Sequence, residues 1–252
     1  MTLRDQVLAQ SLLLAGELTQ QQTDMLGVLC GATTASLQSR LREGLNMPVF
    51  AYNNADCFAY GEQYVQNLPE NYIVITVSRG VGSGIIRHGK VFGDGPLRAG
   101  EIGHISIDRR GPLCACGSRG CLEGYIRLRQ ITAEAKSLLG LAEAPGFDRV
   151  CQLVRQRDPR LMGLIREKAE LLALGISNML AMQPVEHVVI GGGIEALGEP
   201  FLEALEQSIQ TIGLRKYMDR VTVRYAAGRP GDEAQGAVRI FLDHDLQMEM
   251  FL

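Results

Sequence analysis

Three cysteines and one histidine stand close together in the segment EIGHISIDRRGPLCACGSRGCLEGY, residues 101–125. His104 is followed by nine residues and then by Cys114, Cys116 and Cys121, so that the thiols have the spacing C-x-C-x4-C. One imidazole and three thiolates complete a tetrahedral zinc shell with no open position, which is typical of a structural ion. Soft sulfur ligands favour zinc over calcium or magnesium. The pattern predicts a structural zinc site, with ordinary buried cysteines as the alternative.

The composition of the chain limits the other uses of these cysteines. The 252 residues are 46% hydrophobic, which is enough for a sizeable core without covalent staples. The net charge of -3 gives no basic nucleic-acid footprint, so DNA contact would need a local patch or a further domain. With no signal peptide and no membrane-spanning run, we expect a soluble cytoplasmic protein. Thiols stay reduced there, which favours a metal site over a disulfide.

Periodicity predicts the elements that must position the cluster. Apolar residues recur three and four apart from 159 to 182, as in a long helix, whereas the β-branched run YIVITVS is typical of a buried strand. Further helices are predicted at 3–16, 34–45, 55–65, 127–138, 147–156, 199–210 and 232–242. Strands are predicted at 25–31, 47–52, 72–78, 186–193 and 220–226, with a hairpin over 81–92 that turns at His88-Gly89. The alternation of helices with parallel-type strands predicts an α/β fold.

The motifs AGEIGH and CACGSRGCLE, with the gap between them, resemble the signature of the ROK family (repressors, open reading frames and sugar kinases). Supporting matches extend from MPVFAYNNADCFAYGE at 47–62 to RPGDEAQGAVRIF at 229–241. The resemblance implies an actin-like ATPase fold of the hexokinase-like, ribonuclease H-like type, with a sugar between two α/β lobes. We expect residues 1–65 to be a partial, truncated N-terminal lobe and residues 66–252 to be the C-terminal lobe with the zinc-binding loop.

The resemblance also implies which side chains contact the sugar, and these are Asn53, Asn54, Glu101, His104 and Glu123. Carboxylates, amides and an imidazole can satisfy sugar hydroxyls and reject epimers that leave a group unpaired. One ring nitrogen of His104 could bind zinc while the other bonds a hydroxyl. Taken singly, Glu101 or Glu123 could equally be a solvated surface acid or a helix cap.

The position of the family's catalytic base is occupied by an amide. In the family's kinases an Asn-Asp pair precedes the helix seen here as ADCFAYGE, and the Asp accepts the proton. This chain has Asn54 there, which can hydrogen-bond a hydroxyl but cannot take up its proton at neutral pH. Asp56 lies two residues further along, on a different face of the helix, so we expect no catalytic residue.

The phosphate-binding motifs of the kinases are also altered. Neither the D-x-G-G-T stretch nor the P-G-x-V-D segment expected before LREGLNMPV is found in this sequence. The second phosphate loop, usually G-T-G-x-G-x-G, reads SRGVGSG at 78–84, with Ser78 and Arg79 in place of Gly-Thr. GGG at 191–193 matches the adenosine-side loop, although glycines also serve ordinary turns. We interpret as vestigial nucleotide-binding residues Gly80, Gly82, Gly191 and Gly192.

An altered ATP site beside an intact sugar site predicts sensing without phosphorylation. We therefore expect the effector-binding and oligomerisation part of a ROK transcriptional regulator, of the N-acetylglucosamine-repressor or xylose-repressor type. The alternatives are an ATP-dependent kinase for a hexose or amino sugar, and a scaffold that binds no sugar.

The expected partners follow from this interpretation. They are a small sugar effector and further copies of the chain in a homodimer or homotetramer. DNA would be reached only through a helix-turn-helix domain outside this chain. Residues 5–45 loosely resemble a helix-turn-helix but hold few cations before Arg40, and phosphate contacts need cations. We interpret them as a trimmed remnant of the first lobe.

Overall fold

A computed structural model of the protein describes residues 50, 52–93, 98–213, 215–228 and 233–245. Outside these residues lie the elements predicted at 3–16, 25–31 and 34–45, and most of the strand predicted at 47–52. The chain divides into two compact units. The first contains the described residues up to 61 and from 228 onward, and the second contains residues 62–227. The division into lobes at 1–65 and 66–252 stays a prediction.

In the described part of the second unit, five strands form one sheet in the order β3-β2-β1-β4-β5. Their bounds are β1 Tyr72–Val77, β2 Val81–Arg87, β3 Lys90–Val91, β4 His187–Gly191 and β5 Thr222–Tyr225. β1, β4 and β5 are mutually parallel, whereas β2 and β3 are antiparallel additions at one edge. β1 and β4 are largely buried, which suits their continuous valine and isoleucine content.

The β2–β3 hairpin turns where the sequence predicts. His88 and Gly89 have φ of 52° and 72°, the positive values that a tight hairpin turn matching the strand twist requires. Ile86 pairs with Val91 and Arg87 with Lys90 across this turn.

Helices pack against one face of this sheet and build the core. Their bounds, following α1 (Asn54–Gln66), are α2 Glu123–Ile126, α3 Leu128–Leu139, α4 Phe147–Arg155, α5 Pro159–Met182, α6 Glu199–Thr211 and α7 Arg215–Met218. Two short 3-10 turns cover Ile102–His104 and Ile194–Leu197. Apolar residues of α3 to α6 join those of the alternate sheet positions Ile73, Ile75 and Val77 in one buried cluster. Burial of this surface is the main driving force for the unit.

The long helix α5 has the bounds that periodicity predicts. Asp158 caps its start by accepting a hydrogen bond from the Arg160 main-chain N–H at 3.0 Å, and Pro159 occupies the first turn, where no N–H is needed. The helix ends at Met182, two residues before Pro184.

In the first unit, the beginning of α1 packs near α8 (Glu233–Ile240), which continues as a π-helical turn over Phe241–Asp245. The Tyr60 hydroxyl donates to the Asp243 carboxylate at 2.8 Å, and the Phe50 and Phe241 rings lie 4.7 Å apart. These contacts join the two ends of the described chain within this unit.

The predicted α/β class is confirmed, as are the helices and strands predicted from residue 55 onward, with boundary shifts of a few residues. The helix predicted at 232–242 passes into the π-helical turn at Phe241. None of the helices within the described ranges is both long and apolar enough to span a bilayer.

Candidate functional site

The cysteine-rich segment is folded back on itself by two small antiparallel bridges. The first pairs Ser106 with Cys121, and the second pairs Leu113 with Arg119. The main-chain N–H of Cys114 donates to the Ser118 carbonyl at 2.8 Å within the second bridge. These bridges bring thiols that are separated along the chain to the same place as the 3-10 turn Ile102–His104.

The four predicted metal ligands converge. The His104 Nδ1 lies 3.6 Å from the Cys114 Sγ, and the Cys116 Sγ lies 3.6 Å from the Cys121 Sγ. All four ligand atoms lie within 4.8 Å of one another. Ligands of a tetrahedral ion with zinc-like bond lengths would be about 3.5 to 3.8 Å apart. The cluster therefore has the size to hold a metal ion.

The thiols of this cluster differ in their tendency to ionise. The pKa of the exposed Cys116 is lowered, first by a hydrogen bond from the Ser118 main chain and then by hydrogen bonds from the Cys114 and Cys121 thiols. Burial, followed by the neighbouring thiols of Cys116 and Cys114, raises the pKa of Cys121 to about 12. A bound cation would reverse the effect on Cys121, because metal-coordinating thiols are deprotonated.

The 3-10 turn that carries His104 lies directly against strand β2. A Cβ at Gly103 would be 2.1 Å from the Val81 carbonyl oxygen, so a side chain at this position would force the turn away from the strand. The glycine of the E-x-G-H motif is explained by this close approach. Because Nδ1 of His104 faces the thiols, Nε2 is the ring nitrogen left for another ligand.

The two acids that flank the cluster lie in different environments. Glu101 is exposed, and its Oε1 lies 3.6 Å from the Arg98 Nε in an ion pair. Glu123 is half-buried at the start of α2, and its Oε2 accepts a hydrogen bond from the Val81 main-chain N–H at 3.0 Å. Glu101, His104 and Glu123 all belong to the second unit.

The remaining predicted sugar residues, Asn53 and Asn54, belong to the first unit. The Asn53 side chain accepts a hydrogen bond from the Ala55 N–H at 2.8 Å and thereby caps α1. Asn54 is exposed as the first residue of that helix, whereas Asp56 is buried. This contrast agrees with the expectation that Asp56 faces another direction.

The predicted nucleotide-side glycines lie around the carboxyl ends of two neighbouring parallel strands. β1 ends at Val77 and β4 ends at Gly191, so the turns that follow them lie at the same edge of the sheet. Gly80 lies in the first turn, Gly82 lies in β2, and Gly192 follows β4 with φ of 89°. Ligands of α/β sheets bind at this kind of edge.

Two features of this edge escape sequence reasoning. The Glu195 carboxylate accepts a hydrogen bond from the Gly193 N–H at 2.7 Å, and the only sequence signal is an acid two residues after a glycine run. Val81 contributes its main-chain N–H and carbonyl oxygen, which leave no signal in the side-chain pattern.

Comparison with known proteins gives a family and named relatives. The model of the ROK family matches residues 13–244. The N-acetylmannosamine kinase of Escherichia fergusonii is 33% identical over 191 residues, which cover 75% of this chain and 64% of that kinase. A ROK family glucokinase from Streptomyces griseus, solved with glucose and AMPPNP, is 26% identical with a TM-score of 0.68, covering 81% of this chain and 71% of that chain.

A ROK family transcriptional regulator, a homologue of the Escherichia coli MLC protein, has a TM-score of 0.72 at 23% identity, with coverage of 84% of this chain and 57% of that chain. At that identity the likeness concerns the fold alone. The matches together confirm the predicted actin-like, hexokinase-like ATPase fold. The chain spans less than two thirds of the length of the curated kinases that it matches, namely 64% and 60% for two of them.

The prediction of a sugar-sensing regulator is wrong, because the curated relatives at 33% and 35% identity are named as kinases. Ser78 and Arg79 do not exclude binding of phosphate by the turn that contains them. Phosphate turns bind through main-chain N–H groups, and these substitutions leave the main chain in place. The expectation of a DNA partner, which depended on the regulator, loses its basis.

Proposed function

This chain belongs to the ROK family, and from that premise we propose that it is part of an ATP-dependent kinase for an N-acetylated amino sugar. The observation that carries the proposal is its 33% identity over 191 residues to an N-acetylmannosamine kinase. N-acetylmannosamine is therefore the first candidate substrate.

The sugar side of the proposed reaction uses the groups already described. The Glu101 carboxylate, the His104 Nε2 and the second oxygen of Glu123 would satisfy hydroxyls of the sugar, since the carboxylates accept hydrogen bonds and the imidazole nitrogen can accept or donate one. A site built from such groups rejects a sugar epimer because one of its polar groups is then left unpaired.

The ion proposed for the cysteine cluster is zinc, in a structural role. Three thiolates and the His104 Nδ1 fill its four positions, so the ion has no open site for substrate. Its task is to hold the segment from Glu101 to Glu123, which would otherwise depend on two short bridges. The three cysteines must stay reduced to bind zinc as thiolates, which supports a cytoplasmic location.

Because Asn54 lies where a catalytic base is expected, we expect the turnover number of this kinase to be low. General base catalysis contributes roughly 10²- to 10⁴-fold, and an amide cannot supply it at neutral pH. Most of the acceleration of phosphoryl transfer comes instead from positioning and from stabilising charge on the phosphates. Turnover without a base at this position is thus reduced and not abolished.

A coupled ADP-release assay with magnesium-ATP tests the proposal. We expect sugar-dependent ADP release that is greatest with N-acetylmannosamine among a panel of N-acetylglucosamine, glucose and mannose. Glu101→Gln should remove this activity, whereas Glu70→Gln, which changes another exposed acid of the same unit, should not. If zinc-loaded protein releases no more ADP with any sugar than without sugar, the proposal is wrong.

A homodimer or homotetramer remains a proposal for the quaternary structure. It can be measured by light scattering coupled to gel filtration.

A further inference from the structure

We propose that Glu123 is a positioning residue for the turn formed by residues 78–81, in addition to any contact with sugar. Its Oε2 accepts a hydrogen bond from the Val81 main-chain N–H at 3.0 Å, across 42 positions of sequence. In the sequence, only Leu122 separates Glu123 from Cys121, whose thiol belongs to the cysteine cluster. Glu123 therefore connects the cysteine-rich segment directly to the turn between β1 and β2.

The second observation is the space that the carboxylate fills. A Cβ at Gly80 would lie 2.8 Å from the Glu123 Oε2 and 3.7 Å from its Cδ, and the protein offers it no other close contact among the described residues. The Glu123 side chain thus occupies the position that a side chain at Gly80 would need. A side chain at Gly80 would therefore displace the Glu123 carboxylate, whereas the backbone conformation at Gly80 is not one that favours glycine.

Main-chain bonds add to this attachment. The Leu128 N–H, at the start of α3, donates to the Ser78 carbonyl at 3.0 Å, and the Ser78 N–H donates to the Gly80 carbonyl at 2.8 Å. On its other side, the Val81 carbonyl oxygen is in close contact with Gly103. The turn is held between the E-x-G-H segment and the segment that follows the last cysteine. The position of the turn therefore depends on the positions of both segments.

The ligand that this turn would position is anionic. The turn follows the carboxyl end of β1, beside the equivalent end of the parallel strand β4, where α/β sheets bind ligands. Arg79 is exposed on the turn, and Arg127, which precedes Leu128, has a buried Nε without a hydrogen-bond partner in the described part of the chain. Phosphate groups suit two guanidinium groups beside main-chain N–H groups. This step rests on the proposed kinase function, and the phosphates are those of the nucleotide.

Substitutions at Glu123 separate positioning from sugar contact. Glu123→Gln keeps an oxygen that can accept the Val81 N–H, whereas Glu123→Ala removes it. We expect the Kd of magnesium-AMPPNP to rise about tenfold in Glu123→Ala, which matches the loss of one hydrogen bond to a charged group, and to change less than about threefold in Glu123→Gln. Equal losses of AMPPNP affinity in both variants would overturn the proposal, as would no loss in either.

A double-mutant cycle with Gly80→Ala is the sharper test. The added methyl group collides with Glu123, so Gly80→Ala alone should weaken AMPPNP binding about tenfold and should cost little in the Glu123→Ala background, where the space is free. Gly163→Ala is the matched control, because nothing lies within 4 Å of its Cβ. Additive losses from Gly80→Ala and Glu123→Ala would refute the proposed role of Glu123.

Hydrogen exchange of the Val81 amide keeps this test independent of the kinase proposal. Protection of this amide in the ligand-free, zinc-loaded protein should fall at least tenfold in Glu123→Ala and be largely retained in Glu123→Gln. If the protein binds no AMPPNP but shows this pattern, the nucleotide site fails while the attachment of the turn stands. Unchanged Val81 protection in Glu123→Ala would contradict the attachment itself.

Discussion

Asn53 and Asn54 are adjacent amides with different surroundings. The Asn53 side chain is used in capping α1, where it accepts the Ala55 N–H, while Asn54 is exposed at the first position of the helix. A carboxylate at either position is compatible with a helix N-terminus, because acids are favoured there. Substituting Asp at each position in turn therefore tests which of the two positions needs a base.

We predict that Asn54→Asp raises the turnover number for the sugar by about 10²-fold, since it introduces a general base at the position used by the family's kinases. The KM for the sugar should change little, because Asp and Asn have nearly the same shape. The measurement is coupled ADP release with N-acetylmannosamine. Asn53→Asp serves as the control and should give no such gain. A turnover number that stays the same in Asn54→Asp would show that proton removal does not limit the reaction.

The cysteine cluster supports a second prediction at this scale. Cys121→Ser should reduce bound zinc from about one ion per chain to well below that, and should lower the free energy of unfolding by about 4 kcal/mol, because a ligand of a structural ion is lost. Elemental analysis and chemical denaturation measure the two effects. Cys151→Ser, which changes another buried cysteine, in α4, should keep the full zinc content. A Cys121→Ser protein with stoichiometric zinc would contradict the predicted ligand set.

Single residues also show where sequence reasoning succeeds and stops. His104, Cys114, Cys116 and Cys121 could be chosen from spacing and residue type, because metal ligation restricts both. The bond from the Val81 N–H to Glu123 could not, since every residue but proline has a main-chain N–H and the partner is 42 positions away. Close contacts of a glycine with other parts of the chain are equally hard to predict, because the sequence does not reveal which atom lies against the glycine.

At the scale of elements, periodicity determines the long and regular parts best. The helix α5 and the β2–β3 hairpin follow their predicted patterns because their side chains repeat every three to four residues or turn at a glycine with positive φ. The sequence does not predict the four-residue helix α2, because so short a segment has no period and its conformation depends on tertiary contacts.

One buried charge joins two of these elements. Lys168 lies in the middle of α5 with a side chain that is 1% exposed, and its Nζ lies 2.7 Å from the Glu134 Oε2 of α3 and 3.1 Å from the Glu167 Oε1. The Gln130 side chain also donates to Glu134, at 2.9 Å. The ion pair between Lys168 and Glu134 therefore fixes the register of α3 on α5.

We predict that Glu134→Ala lowers the free energy of unfolding by about 2 kcal/mol, because it leaves a buried ammonium with only the exposed Glu167 as partner. Lys168→Met should cost less than Glu134→Ala, since it removes the charge together with the need for a partner. Equilibrium urea denaturation measures both. Glu203→Ala is the control, because it breaks an exposed pair with Arg157 and should change stability little. A larger loss in Lys168→Met than in Glu134→Ala would show that the pair itself stabilises the packing.

At the scale of the whole molecule, the family and fold agree with the sequence motifs, whereas the activity inferred from them needed correction. The sequence retains the motif residues predicted to contact the sugar, and Asn54 lies where the resemblance implies the catalytic base. A kinase and a regulator of this family differ in how fast they phosphorylate the sugar. The identity of one residue does not give that rate. A substitution that lowers turnover by about 10²-fold leaves the remaining acceleration from positioning in place. Relatedness to named kinases therefore carries more weight here than the change of a single side chain.

Ligand-dependent stability provides a prediction for the intact chain that does not require turnover. A sugar that binds only the folded protein stabilises it by about 2.7 kcal/mol at a hundred times its Kd, and this corresponds to a rise in Tm of about 5 °C or more for a chain of this size. We expect that rise with N-acetylmannosamine in the zinc-loaded protein. Its C2 epimer N-acetylglucosamine, at the same concentration, should raise the Tm by less than about 2 °C, because its acetamido group points the other way from C2 and then leaves a polar group of the site unpaired. Differential scanning fluorimetry over a concentration series measures both sugars, and Glu101→Gln should abolish the larger shift. Equal shifts with the two epimers would mean that the site does not distinguish their configurations at C2. The choice of N-acetylmannosamine as substrate would then be wrong, even if the protein proves to be a kinase.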